Sequence, residues 1–297
     1  MKLGKLAAWT IFSTFDARNG AAFAQRIEHW GYDALWIPEA FGRDPLIGAS
    51  WILANTTKLN VATGIANIYA RDSLATVNAQ YALAEQSEDR FLLGVGVSHI
   101  PLVEGVRRHK YEKPIAAMTA YLESMKNATY VGPAPTETPK TVIAALGPRM
   151  LEVAAKHADG AHPYNVTPEH TAAARRILGA DKLLCPEQKV LLETDPTKAR
   201  AIGRRALELY LTLPNYRNNF LRMGFTEQDM EDGGSNRLVD GLVAWGDEHQ
   251  IRARIQEHWD AGADQVCIQS VPREGGALAR QDERIFELLA PKNSQKL

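Results

Sequence analysis

The chain has 297 residues, 45% of them hydrophobic, and a formal net charge of −1. That balance argues against a general role at nucleic acid or at an acidic membrane surface, and the length suits one α/β domain spanning residues 1–297 better than two ordinary ones. Cys185 and Cys267 lie far apart and outside any CxxC spacing, so neither a disulfide framework nor a zinc site is supported; with no leader-like or membrane-length apolar run, a cytoplasmic protein is expected.

Strand and helix patterns alternate along the chain. Residues 3–9 read as a first strand, and Phe23, Ile27 and Trp30 form a helical stripe that stops at Gly31. Residues 34–37 give a second strand, with a helix following over about 45–55. The third strand opens KLNVATGIANIYARDS (58–73) and the fourth opens FLLGVGVSH (91–99). Each begins as a continuous apolar run, the pattern of a parallel strand covered on both faces, and then breaks into glycine and polar residues. Between them Leu74, Val77, Tyr81 and Ala84 keep one helix face apolar.

A helix is expected from Pro114 to about Lys126, before a proline-rich break at 132–139. Residues 141–146 form a fifth strand running into a helix opened by Gly147 and Pro148. A short sixth strand at 161–163 precedes a helix capped by Thr167 with Pro168 at its first position. The seventh strand is placed at 189–193, and Asp195-Pro196 starts another helix. Residues 213–240, rich in Asn, Arg and Gly, read as an irregular insertion. Ile251, Ile255 and Trp259 then line a helix closed by Gly262, the eighth strand covers 265–269, and Ile285, Leu288 and Leu289 mark a last helix. The alternation favours an α/β fold, a (β/α)₈ TIM barrel with an insertion late in the barrel. A doubly wound sheet is the alternative, weakened because no GxGxxG opens a helix after the first strand.

Barrel sites are assembled from strand ends. Those ends carry Trp9, Glu39, Asn67 with Tyr69 and Arg71, Ser98 and His99, Gly147, His162 with Tyr164, Glu193 and Gln269. No HExxH, paired carboxylates or GxSxG is present, which disfavours metal-dependent and serine hydrolysis. Leu146-Gly147-Pro148 leads straight into a helix whose first N–H groups suit an anion, or it is simply a good helix start. Glu39 either accepts from a ligand or pairs with a neighbour such as Arg43. His99 is either an acid–base group or a structural hydrogen-bonder. The run Arg107 to Lys110 is a solvated loop or a patch for an anionic ligand. The aromatic set Trp9, Phe12, Phe41, Trp51 and Tyr69 favours a small, partly apolar substrate, or is plain core.

Five segments, DALWIPEAFGRDP, VATGIANIYARDS, RFLLGVGVSH, AALGPRMLEVAAKHADGAHPY and AGADQVCIQ, resemble in order the luciferase-like family of flavin- and deazaflavin-dependent oxidoreductases. The resemblance is strongest to an actinobacterial subgroup assigned to coenzyme F420. It implies a TIM barrel, a homodimer, a cofactor ring at the C-terminal face and a cofactor phosphate against backbone amides. Residue by residue, it implies that Glu39 lies beside the deazaflavin ring and that Gly64-Ile65 is a cis peptide behind it, with Ala66 alongside. Val97 and Ser98 belong to a cofactor-contacting loop, Ala145, Leu146 and Gly147 to the phosphate turn, and His162 to the cofactor site. Trp9, Phe41, Tyr69 and Tyr164 are the expected substrate contacts.

Two departures matter. A related sugar-phosphate dehydrogenase has a histidine base where this chain has Ala40, and a glutamate where it has His99. A sugar phosphate is therefore not the expected substrate, and His99, with Glu39, is the expected catalytic pair. The resulting expectation is hydride transfer between deazaflavin C5 and a small organic substrate, without metal. An FMN-dependent luciferase-type monooxygenase, a cofactor-binding protein without turnover and a barrel lyase or isomerase are the alternatives.

Overall fold

The computed structural model describes residues 1–39, 41–274 and 281–292; Ala40, on which one of the departures rests, lies outside them. Parallel strands and helices alternate as β1 (Leu6–Trp9), α1 (Ala17–Trp30), β2 (Ala34–Ile37), α2 (Pro45–Ala54), β3 (Asn60–Thr63), β4 (Ala66–Asn67), α3 (Ser73–Gln86) and β5 (Phe91–Gly96). There follow α4 (Pro114–Lys126), β6 (Thr141–Ile143), α5 (Pro148–His157), β7 (Gly160–Ala161), α6 (Pro168–Leu178), β8 (Leu183–Leu184) and β9 (Glu187–Leu192). The rest is α7 (Pro196–Leu211), α8 (Pro214–Arg222), α9 (Asn236–Leu242), β10 (Val243–Gly246), α10 (Glu248–Asp260), β11 (Val266–Ser270) and α11 (Glu283–Leu288).

β8 and β9 are one barrel strand interrupted at Cys185-Pro186, since proline has no N–H to give the ladder. That stretch pairs with β7 on one side and β11 on the other, and β11 pairs with β1, so the eight-stranded circuit closes. The seventh strand is thus longer than the expected 189–193. β10, which the sequence did not suggest, lies parallel to β9 beyond the reach of short β7.

Side-chain alternation separates two cores. Ala7, Trp9, Ala34, Trp36, Ala62, Leu92, Val142, Cys185 and Cys267 fill the barrel interior, while Leu6, Ala8, Leu35, Ile37, Val61 and Leu93 face the helices. Phe12 belongs to the helix-facing core, and Trp51 sits on α2 with its indole N–H donating to the Ala17 carbonyl; neither lines the strand ends.

The expected irregular insertion at 213–240 holds two helices, α8 and α9, joined by an irregular stretch over 223–235. Pro214 sits at the first position of α8, and Tyr216, Phe220, Leu238, Val239 and Leu242 bury against Leu207 and Leu211 of α7. Tertiary burial overrides the weak helix propensity of Asn215, Asn218 and Asn219. A surface groove of about 520 Å³ beside Arg204 and Ser235 lies on this insertion. Its Asp229 is fully engaged by Thr226, Ser235 and Arg237, which makes the groove part of the loop's own structure. No described helix is long and apolar enough to cross a membrane.

Candidate active site

Glu39 follows β2 and is 6% exposed at its side chain. Its Oε2 accepts from the Asn67 N–H and from Arg71, both at 2.8 Å, and its Oε1 from Arg71 at 3.1 Å and Arg107 at 2.8 Å. The expected neighbour Arg43 is not the partner; it donates instead to the Phe15 carbonyl and lies over the Phe12 ring. Arg71 also holds Asp44, so these charges form one network beneath the rim. With Arg107 bound to Glu39 and Lys110 to Glu112, the basic run is largely neutralised rather than a free anion patch. Above it Tyr69 packs against His109 and Tyr111, and Phe41 is 59% exposed.

The Gly64–Ile65 peptide is cis, as the resemblance implies. Glycine is required there: an added Cβ would stand 2.7 Å from Trp9 Nε1, 3.0 Å from His162 Nε2 and 3.2 Å from the Trp36 ring. His162 stacks on Trp36 at 4.3 Å, and its Nδ1 donates to the Cys185 carbonyl at 2.6 Å. Ile65 leans the other way, toward Gly96 and Ala144. Ala66 and Ala145 are buried in the helix-facing core, while Val97 and Ser98 are half-buried, Ser98 with a left-handed φ of 58°.

From Trp9 the wall continues through Tyr164, at 5.3 Å between rings, to Tyr210 and Tyr216, and from Tyr216 to His99 at 5.6 Å. The Tyr164 hydroxyl donates to Gln269 Oε1 at 2.7 Å and shares a 2.9 Å hydrogen bond with the Tyr210 hydroxyl. Beneath them, Lys189 Nζ lies 3.3 Å from Glu187 Oε1 and 4.0 Å over the Tyr164 ring. Burial pushes the Glu187 carboxyl up and the Lys189 ammonium down from their ordinary values, and each partly restrains the other. Burial also lowers the pKa of His99, with Asn215 partly opposing it, so its ring is mostly neutral at pH 7.

At the turn after β6, Gly147 is the N-cap of α5, and no side chain caps that helix, whereas Asp72 caps α3 and Thr167 caps α6. A Cβ on Gly147 would meet the Arg222 guanidinium at 3.3 Å. Arg222 is exposed, hydrogen-bonds to Asn219 Oδ1 at 3.4 Å, and is paired with no carboxylate among the described residues. His170 donates from Nε2 to the Leu146 carbonyl at 2.7 Å and steadies the turn from below. An open helix start beside a guanidinium has the chemistry to hold an anion.

Sequence reasoning missed Lys189, Glu187, Tyr216 and Arg222. The insertion contributes two of them: α8 sends Tyr216 to the central wall and Arg222 to the turn. Buried polar atoms without partners gather at this end, among them Trp9 Nε1, Asn67 Nδ2, His99 Nδ1, His162 Nε2 and the Asn165 amide. Each unmade buried hydrogen bond costs about 1–3 kcal/mol, so their concentration fits a face built to meet a polar ligand.

Two buried histidines give a stability expectation. Burial lowers the pKa of His162 to about 4 and of His258 to about 3, against an ordinary 6.5. The unfolded chain therefore takes up protons below about pH 6.5 that the folded chain refuses, and stability falls with pH by up to about 1.4 kcal/mol per unit for each histidine. The melting temperature should hold above pH 7 and drop steadily from 6.5 to 5. A flat profile over that window would contradict the assignment.

The luciferase-like monooxygenase family profile matches residues 1–182, and the chain belongs to that family of oxidoreductases and monooxygenases. A Mycobacterium tuberculosis protein, provisionally named a coenzyme F420-dependent oxidoreductase, is 25% identical over 331 residues, covering 90% of this chain and 94% of its own. A solved F420-dependent secondary alcohol dehydrogenase, in complex with an F420-acetone adduct, superposes with a TM-score of 0.75 at 13% identity over 98% of both chains. The FMN-bound oxygenating constituent of 3,6-diketocamphane monooxygenase from Pseudomonas putida does so with 0.66 at 12%, over 100% of this chain and 98% of its own. At those identities the two structures share the barrel fold.

Proposed function

We propose that the protein is a coenzyme F420-dependent oxidoreductase acting on a small organic substrate. The observation that carries this reading is the α5 start at Gly147, uncapped and faced by Arg222, which suits the phosphate of a flavin-type cofactor. The name of the Mycobacterium tuberculosis relative favours F420 over FMN. When bound, the deazaflavin supplies hydride donor and acceptor chemistry at its C5. Gly147 and Arg222 would hold its phosphate, and Gly64, Ile65, Val97 and Ser98 would hold its ring. Glu39, tied to Arg71 and Arg107, fixes the loops beside it. The tyrosine wall would exclude water from the bound pair.

His99 handles the proton. Its neutral ring and unpartnered Nδ1 can exchange a proton with a substrate. His99→Ala should lower kcat by about 10²–10⁴-fold while leaving cofactor affinity intact. Normal turnover in that variant would make the histidine structural. An FMN-dependent monooxygenase is the second reading, because the same helix start would suit the phosphate of FMN. A binder without turnover rests on Ala40 alone.

A homodimer accounts for the exposed apolar Ile47 and Trp51 on α2 and Leu74 on adjacent α3. Light scattering should give twice the 32.8 kDa chain mass, and a monomer at micromolar concentration would refute it.

A further inference from the structure

Trp9 is 4% exposed and His162 2%, yet Trp9 Nε1 and His162 Nε2 have no hydrogen-bond partner. Both border one point beside the Gly64 α-carbon, lying 2.7 and 3.0 Å from the position its β-carbon would take. They are therefore close enough for a single oxygen to bond both. Their chemistries are opposite and fixed. An indole N–H can only donate. His162 gives its Nδ1 hydrogen to the Cys185 carbonyl at 2.6 Å, which leaves Nε2 a bare acceptor in the neutral ring. Burial lowers the pKa of that ring to about 4, so the acceptor persists across the working range.

We propose that Trp9 and His162 form a hydroxyl-binding subsite, in which an alcohol oxygen accepts from Trp9 Nε1–H and donates to His162 Nε2. The match is selective. A ketone oxygen takes the first bond and cannot make the second; a carboxylate takes the first and faces the Nε2 lone pair. Tyr164, 5.3 Å from Trp9, and Trp36, stacked on His162, surround the subsite with aromatic surface, which suits an apolar group next to the hydroxyl. Assigning this ligand as the substrate rests on the oxidoreductase reading; the subsite itself does not.

The test uses cofactor-free protein labelled with ¹⁵N at the tryptophan indoles, the Trp9 signal being assigned with Trp9→Phe. Cyclohexanol, cyclohexanone and cyclohexanecarboxylate are the probes. Cyclohexanol should shift the Trp9 indole resonance saturably and bind at least about tenfold more tightly than cyclohexanone, one hydrogen bond's difference or about 1.4 kcal/mol. The carboxylate should give no saturable shift. Gly64→Ala should abolish the response, and His162→Phe should erase the alcohol preference. Should His162→Phe not fold, ¹⁵N-histidine labelling of the wild-type protein reads the same bond, as a shift of His162 Nε2 on cyclohexanol addition. Equal affinities for the three probes, or no saturable shift with any, would overturn the proposal. So would a Trp9 signal already hydrogen-bonded in free protein and unmoved by cyclohexanol, since the two side chains would then be bonded to each other. Failure to bind deazaflavin would sink the F420 reading and leave this result unchanged.

Discussion

Arg222→Ala is expected to weaken deazaflavin binding by about 10- to 100-fold, because a hydrogen bond to a charged group contributes about 1.5–3 kcal/mol. The fold should not notice, as Arg222 is exposed and its one side-chain hydrogen bond, to Asn219, is long at 3.4 Å. Gly147→Val attacks the same seat from the other side, placing its Cβ 3.3 Å from the guanidinium and screening the α5 N–H groups. Fluorescence titration of folded variants reads both effects. Unchanged affinity in the two variants would move the phosphate elsewhere and remove the main support for a flavin-type cofactor.

Lys189→Met should destabilise the protein by about 3–5 kcal/mol, the usual cost of stranding one member of a buried ion pair. Lys189 is 3% exposed and Glu187 1%, and no water shell is at hand to solvate the remaining carboxylate. Tyr164 would also lose the cation over its ring. The double variant Glu187→Gln with Lys189→Met should recover most of the loss, since it removes the uncompensated charge. Equilibrium urea unfolding at pH 8 measures the cycle. A single variant within about 1 kcal/mol of wild type, or a double variant worse than the sum of its singles, would mean that the pair is not coupled as the geometry indicates.

The barrel was legible because its strands are buried on both faces and read as apolar runs, from LWI at β2 to FLLGVG at β5. Gly147-Pro148 announced the helix start at the turn for an equally local reason. Glu187 and Lys189 escaped notice because the expected strand began only at Lys189, and a charged strand start reads as solvent-facing. Their spacing of two held the signal: it puts both charges on one face of a strand that is covered on both sides. Arg222 and Tyr216 were hidden by the composition of α8, whose Asn and Arg residues read as loop until Tyr216 and Phe220 find the satellite core. Glu39 shows the converse limit. Its type and position were readable, but its partners Arg71 and Arg107 come from loops after β4 and β5, and no local pattern distinguishes them from Arg43.

The central claim is tested most directly by titrating purified protein with F420 and FMN side by side and reading fluorescence at equilibrium. The claim predicts saturable, stoichiometric F420 binding, at least about tenfold tighter than FMN binding, with that margin shrinking in Arg222→Ala only if the two phosphates are held differently. FMN binding tightly with F420 weak or unbound would make the protein a flavin enzyme, and no binding of either would contradict the account outright.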